Sequence, residues 1–294
     1  MIQIQNVSKK LEKKLIFKNL NWKLTNGKVY GLVGPNGSGK STLLRMIAGV
    51  YQSDLGLITI DSKPVYENPE TKQELLFISD DPFFFPQANI TEMKDFYQLF
   101  YPNFDNLLYQ QLSELFMIDL TARIDTFSKG MRRQASLILA FAASPKYLLL
   151  DEAFDGLDSV MRLALKRLIS DNIINNQMTV LISSHNIREL EDICDEIALI
   201  QNGMISLDGD IETIRNSYHK YQLAFNKTIQ IEQFSMIPYV NIEINSKFAV
   251  IVIKNKNDMI ILETMKPLII EEIAMSLEEI FVYKMKENGY GRNI

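Results

Sequence analysis

The chain has a single cysteine, Cys194, among its 294 residues. A lone thiol cannot close an internal disulfide, so a disulfide-stapled fold is excluded and a reducing compartment is expected. Positive charge is not in excess. Lys and Arg number 31 against 36 Asp and Glu, a formal net charge of −5. Recognition of a nucleic-acid backbone rests on clustered Lys and Arg, so no nucleic-acid partner is expected. No apolar run approaches the roughly 18 residues that a membrane-spanning helix requires. The segment Met1-Ile2-Gln3-Ile4-Gln5 lacks the basic and apolar regions of a secretory leader, so none is expected. Internal repeats and low-complexity tracts are missing too. What is present is ordinary globular composition, 47% hydrophobic and 23% charged. The length suits about two domains.

Short apolar runs alternate with amphipathic segments over residues 1–218, the pattern of an α/β protein with a parallel sheet. Lys28 to Val33, Tyr147 to Leu150 and Thr179 to Ile182 read as strands buried on both faces. Between Thr91 and Ala143 the strand signal gives way to helical spacing, as at Phe96, Leu99 and Phe100, which predicts a helical insert over about 85–145. Asn202-Gly203 between two apolar runs predicts a hairpin, because both residues tolerate positive φ. Near His219 the pattern changes. Thr228–Ile231, Asn241–Ile244, Phe248–Ile253 and Met259–Leu262 read as strands. Ser276 with Glu279 forms a capping box before a helix whose apolar face is Leu277, Ile280 and Phe281. A small α+β accessory domain is therefore expected over residues 219–294. Its own sequence carries no chemical motif, and His219 is assigned no role.

Gly34-Pro35-Asn36-Gly37-Ser38-Gly39-Lys40-Ser41 fits G-x-x-x-x-G-K-[ST] at each fixed position, between a strand and the helical run that begins at Thr42. Glycines let successive backbone N–H groups converge on phosphate oxygens, and the helix N-terminus adds a positive dipole end. Lys40 reaches the β and γ phosphates, and the Ser41 hydroxyl suits Mg²⁺. Asn255-Lys256-Asn257-Asp258 has the form of a guanine-reading N-K-x-D element. The chain has no D-x-x-G, and the tetrapeptide lies between two predicted strands, where a polar cluster reads more simply as a hairpin turn.

Tyr147 to Leu150 ends in Asp151 and Glu152. Carboxylates at the C-terminal end of a parallel strand lie in the crevice where α/β sheets bind ligands. Asp151 suits the shell of Mg²⁺, and Glu152 suits a base that polarises water. Upstream and downstream of them, further motifs stand in a fixed order. Phe127-Ser128-Lys129-Gly130-Met131 lies ahead of the acids, Ser128 preceding Asp151 by 23 residues. Phe154-Asp155-Gly156-Leu157-Asp158 comes after them, and Ser183-Ser184-His185 closes the third strand. Over residues 1 to about 215 the chain resembles the nucleotide-binding subunit of an ABC transporter.

That resemblance implies an α/β P-loop ATPase fold with a helical subdomain, acting on ATP with Mg²⁺. It implies that Gly34 to Thr42 hold the nucleotide, and that Ser128 and Gly130 face the γ-phosphate bound by a second ATPase subunit. It implies Glu152 and His185 as the catalytic pair. It also implies a transmembrane permease as partner and a peripheral position on the cytoplasmic face of the cell membrane. The sequence departs from the family pattern in three places. Leu11 replaces the usual base-stacking aromatic, which leaves either apolar packing without stacking or Phe17 as a substitute. Asp80, in Ile78-Ser79-Asp80-Asp81-Pro82, stands where a glutamine is usual, as a further magnesium contact. Lys129 and Met131 replace a glycine and a glutamine. The signature Phe127-Ser128-Lys129-Gly130-Met131-Arg132-Arg133-Gln134 is similar to that of antimicrobial-peptide, bacteriocin and amphipathic toxin-peptide exporters. Pro82-Phe83-Phe84-Phe85-Pro86 is expected to supply aromatics to a groove for a helix of the permease. The rival expectations are a soluble ABC-type ATPase and a regulatory ATP-binding module.

Overall fold

Apolar residues recur at every second position of the first strands, and this alternation sets their faces. In the computed structural model, which describes residues 1–289, β1 (Ile2–Leu11) and β2 (Lys14–Leu24) pair antiparallel. Ile2, Ile4, Leu20, Trp22 and Leu24 are buried and their neighbours face outward. Leu11 ends β1 at the hairpin tip, opposite Lys14.

β3 (Val29–Val33) is buried throughout and runs into the Gly-rich turn and α1 (Lys40–Ile47). β4 (Leu55–Ile60) and β5 (Lys63–Pro64) complete a four-stranded sheet in the order β2-β1-β4-β5. α2 (Pro69–Gln73) leads to β6 (Leu75–Ile78). The helical insert is built from α3 (Ile90–Phe100), α4 (Asn106–Leu115) and α5 (Lys129–Ala142). Each has a side-chain cap: Asn89 in a capping box with Glu92, Asp105, and Ser128. α3 buries Ile90 and Met93, whereas Phe96, Leu99 and Phe100 lie on its exposed side.

β7 (Tyr147–Asp151), α6 (Ser159–Asn176), β8 (Thr179–Ser184), α7 (Ile187–Glu191), β9 (Glu196–Gln201) and β10 (Met204–Asp210) come next. The second sheet has the order β10-β9-β3-β8-β7-β6. β3, β6, β7, β8 and β9 run parallel, and β7 and β8 are buried at each residue. The register pairs Val33 with Ser184, Asp151 with Ser183, and Ile78 with Leu150. The C-terminal ends of β3, β8, β7 and β6 therefore emerge along one edge. Asn202 (φ 51°) and Gly203 (φ 73°) turn β9 into β10 as expected.

The chain divides into two compact units, 1–206 and 207–294. The division falls inside β10, ahead of the 218/219 boundary expected from sequence, where the strand's apolar residues give way to Asp208-Gly209-Asp210. In the second unit α8 (Ile211–Arg215) precedes β11 (His219–Ala224), β12 (Tyr239–Asn245), β13 (Phe248–Ile253), α9 (Met259–Thr264), β14 (Ile269–Ile273) and α10 (Leu277–Glu287). The strands form an antiparallel sheet, β12-β13-β11-β14, over a core of Tyr221, Leu223, Phe234, Ile251 and Leu262. Two predicted strands are corrected here. Met259–Leu262 is the start of α9, entered through a 3-10 turn that Asn255 caps by accepting from the Asn257 N–H, so Asn255–Asp258 is no hairpin. Ile231 opens another 3-10 turn, closed by reciprocal bonds between Gln230 and Gln233. Four-residue apolar runs carry no period long enough to separate strand from helix. α10 has the Ser276–Glu279 capping box and buries Leu277, Ile280 and Phe281.

Candidate nucleotide site

The turn after β3 is shaped by its glycines. Gly39, at φ +107°, caps α1, and a Cβ there would meet the Phe17 ring at 2.8 Å. Ser38 N–H donates to the Pro35 carbonyl at 3.1 Å, closing the loop over Asn36 and Gly37. The Ser38 hydroxyl is buried without a hydrogen-bond partner. A buried hydroxyl left unpaired costs about 1–3 kcal/mol, so an oxygen-rich ligand at this turn fits what the protein provides. α1 carries no acidic residue in its first turn, which leaves its positive end unopposed.

Lys40 is 6% exposed. Its Nζ donates to the Gly34 carbonyl at 2.8 Å and lies 3.6 Å from Oε1 of Glu152. Glu152 in turn is held on its other oxygen, Oε2, by His185 Nδ1 at 2.9 Å and by the His185 N–H at 3.3 Å. Three strand ends thus converge on one carboxylate. The Glu152 backbone sits in the left-handed region, φ 49°. That torsion costs a non-glycine residue about 1–3 kcal/mol. It is held by the Glu152 N–H donating to the carbonyl and hydroxyl oxygens of Ser183, at 3.1 and 3.2 Å. The Ser183 hydroxyl also donates to Asp151 Oδ1 at 2.5 Å, so one serine orders both acids. Asp151 is buried. Its carboxylate and the Ser41 hydroxyl at the head of α1 are hard oxygen donors of the kind Mg²⁺ takes.

Ser128 caps α5 by accepting from the Met131 N–H at 3.2 Å. A Cβ on Gly130 would come within 2.7 Å of the Gly156 carbonyl, so this helix start is seated directly on the loop after β7. Lys129 points Nζ toward Asp80 at 3.7 Å and Asp155 at 3.8 Å. Asp158 caps α6, accepting from Val160 and Met161 N–H at 2.9 Å. Asp155 joins Glu152 and His185 in a cluster whose ligand atoms lie within 4.8 Å of one another.

Two positions depart from expectation. Phe17 is fully buried against Gly39 and is a wall of the core, so it offers no face to a base. The Asp80 carboxylate is engaged by cations: Oδ1 accepts from Arg133 Nη2 at 3.0 Å, with Lys129 beyond it. Ser183 and Arg133 emerge as structural centres of the site; the motifs Ser183-Ser184-His185 and Phe127 to Gln134 contain them without singling out their roles. Serine at a strand end and arginine in a helix are too common to signal a role. His219 pairs with Glu272 at 2.9 Å within the second unit.

Beside β6, a cavity of about 830 Å³ opens between that strand and α3. Pro82, Phe83, Phe77, Phe96, Tyr97 and Phe100 line it. Phe83 is 74% exposed, and Phe85 stacks edge-on against Phe96 with centroids 4.7 Å apart. Burial pushes the Tyr97 hydroxyl up to about 12. Among the described residues no helix is long and apolar enough to cross a membrane.

A parallel sheet with a glycine-rich turn, a buried lysine and strand-end acids along one edge defines a P-loop nucleoside triphosphatase. The family model described as ABC transporter matches residues 17–155. The ABC transporter ATP-binding protein YtrB of Bacillus subtilis is 28% identical over 286 residues, 97% of this chain and 98% of that protein. The lantibiotic transport ATP-binding protein SrtF of Streptococcus pyogenes is 29% identical, covering 79% of this chain and 99% of SrtF. A probable sulfate/thiosulfate import ATP-binding protein, CysA of Chlorella vulgaris, is 31% identical over 72% of this chain and 92% of CysA. A solved ATP-binding subunit of an ABC transporter superposes with a TM-score of 0.68 at 24% identity, over 73% of this chain and 92% of that one. The chain belongs to the ABC transporter ATP-binding proteins. It is an ATP-hydrolysing subunit that drives transport through a membrane subunit.

Proposed function

We propose that two such ATPase subunits close head to tail on two ATP molecules and so switch the membrane subunit between its two orientations. The observation that carries this reading is the Glu152 carboxylate, held between Lys40 and His185 at the ends of three strands. In this reading Gly34 to Thr42 wrap the triphosphate with backbone N–H groups, and Lys40 transfers from Glu152 to the β and γ oxygens. Ser41 and Asp151 would hold Mg²⁺, which would supply positive charge to the triphosphate. Glu152 then accepts a hydrogen bond from water and orients it toward the γ-phosphorus. The water oxygen bonds to the γ-phosphorus as the P–O bond to the β-phosphate breaks, the water's proton passes through Glu152 to the released phosphate, and ADP and phosphate leave. His185 keeps the Glu152 carboxylate in place and faces the γ-phosphate. Ser128 and Gly130, at the start of α5, complete the partner's site. Binding energy that favours the closed pair is what moves the membrane subunit.

The aromatic cavity between β6 and α3 supports docking of a short permease helix there and, with it, a peripheral position on the cytoplasmic face of the cell membrane. The exporter-type signature Phe127–Met131 and the similarity to a lantibiotic transport protein support export of a peptide or small amphipathic molecule as the task. The second compact unit, which begins at residue 207, is an accessory extension of the ATPase. Glu152→Gln supplied with ATP tests the reading. A stable ATP-bound dimer by size exclusion with turnover cut at least about 100-fold is expected. A monomer under those conditions, or normal turnover, overturns it.

A further inference from the structure

We propose that Arg133 is a positioning residue that bolts the start of α5 to the end of β6, and that Asp80 is its counter-ion and no magnesium ligand. The proposal rests on the ATPase reading above for its consequences in catalysis.

Arg133 is 1% exposed, the largest side chain so deeply buried among the described residues. Its guanidinium donates to the Ser79 carbonyl at 2.8 Å, the Asp80 carbonyl at 2.6 Å and Asp80 Oδ1 at 3.0 Å. Its Nε is buried with no partner. Burial pulls the guanidinium below its ordinary value, opposed by Asp80 first and then by Asp155, Asp151 and Asp81. A buried cation with an unpaired N–H is a poor way to fill a core, because leucine or methionine would pack there without the desolvation penalty. What an arginine adds is a planar fork that grips two successive carbonyls and a carboxylate at once, which lysine cannot do.

The gripped atoms matter because of their place in the sheet. Ser79 and Asp80 come directly after β6, whose last residue, Ile78, is in register with Leu150 beside Asp151. Arg133 is in the second turn of the helix that Ser128 caps and on which Gly130 rests against Gly156. The same guanidinium therefore fixes the height of the Ser128 end of α5 against the strand edge that carries the acids. Ser79, Pro82 and Phe83 also wall the aromatic cavity, as does Ser136 of α5. Displacement of the Ser79–Phe83 wall is therefore handed to the start of α5 through Arg133. Arg133 and Lys129 both approach Oδ1 of Asp80, at 3.0 and 3.7 Å, and two cations on that oxygen oppose the approach of a third, a metal ion.

Hydrogen exchange on the ATP-free chain tests the bolt, and magnesium titration of turnover tests the counter-ion. In Arg133→Gln and in Asp80→Asn, amides of residues 79–85 and 129–133 are expected to exchange about tenfold faster, with α6 and β8 unchanged. Half-saturation by Mg²⁺ is expected to stay within about twofold of the parent in Asp80→Asn while kcat falls. The effects of the two substitutions on kcat are expected not to add, since both cut one contact. Unchanged exchange in both variants overturns the bolt. A rise of tenfold or more in the magnesium requirement of Asp80→Asn overturns the counter-ion assignment. Should Arg133→Gln fail to fold, Asp80→Asn alone carries both measurements, because Asp80 is half-exposed. A chain without ATPase activity would sink the catalytic reading and still leave the exchange result to decide the bolt.

Discussion

Lys40 Nζ and Glu152 Oε1 stand 3.6 Å apart although the residues come after different strands, β3 and β7. β8 lies between those strands in the sheet, so the pair bridges over it, and His185 at the end of β8 holds the other carboxylate oxygen. In the proposed mechanism the water-orienting base and the phosphate-binding cation thus stand together before ATP arrives, set by the sheet order, the glycine turn and Ser183. Lys40→Ala is expected to abolish ATP binding as measured by equilibrium dialysis. It also leaves Glu152 without its buried counter-charge. Retention of parent-level affinity would count against the triphosphate position.

Phe17→Ala should behave as a core mutation. The ring is buried under Gly39, and deleting such a side chain costs about 3–5 kcal/mol. Chemical denaturation should register that loss. With Phe17 turned inward and Leu11 at the hairpin tip, ATP and an abasic triphosphate should bind with comparable affinity. Strong preference for the purine nucleotide, lost selectively in Phe17→Ala with stability intact, would contradict both statements.

Phe83→Ser should weaken association with the permease by about 1–3 kcal/mol, the range for an exposed aromatic anchor entering a pocket. Co-purification from detergent extracts measures it. A soluble, folded variant that still co-purifies fully would move the docking surface elsewhere.

Cys194 should be silent in the native protein. Burial raises its thiol well above the ordinary range, and Asp195 adds to the rise. The thiolate is the reactive form, so a maleimide at pH 8 should label the folded chain far more slowly than the unfolded one. Denaturant should then release one label per chain. Fast labelling of the native state would mean that the region around α7 opens.

The phosphate turn, the strand-end acids and the insert are legible in sequence because each couples a fixed spacing to a local conformation. Gly39, Lys40 and Ser41 do this within one turn, and Ser276 with Glu279 does it again at α10. What stays hidden depends on distant parts of the chain. Phe17 looks like any aromatic until Gly39 is found beneath it. Asp80 looks like a free acid until α5 brings Arg133 to it across 53 positions. The exposed stripe of Phe96, Leu99 and Phe100 has helical spacing, and spacing cannot tell which side of an amphipathic helix meets protein and which meets a groove. In the second unit, β11 and β14 leave no clear strand signal although β11 is central to its sheet. His219–Ala224 and Ile269–Ile273 are short and set charged or polar residues side by side, His219-Lys220 and Glu271-Glu272, so no sustained period of two marks them.

The torsion at Glu152 carries a backbone cost. Asparagine adopts left-handed backbone more readily than glutamate, which pays roughly 1–2 kcal/mol for it. Glu152→Asn would relieve the bend yet strand Lys40, 6% exposed, without its counter-charge, so torsion and ion pair pull on this position in opposite directions. The acid persists at that bend for as long as a cell is judged by what it pumps.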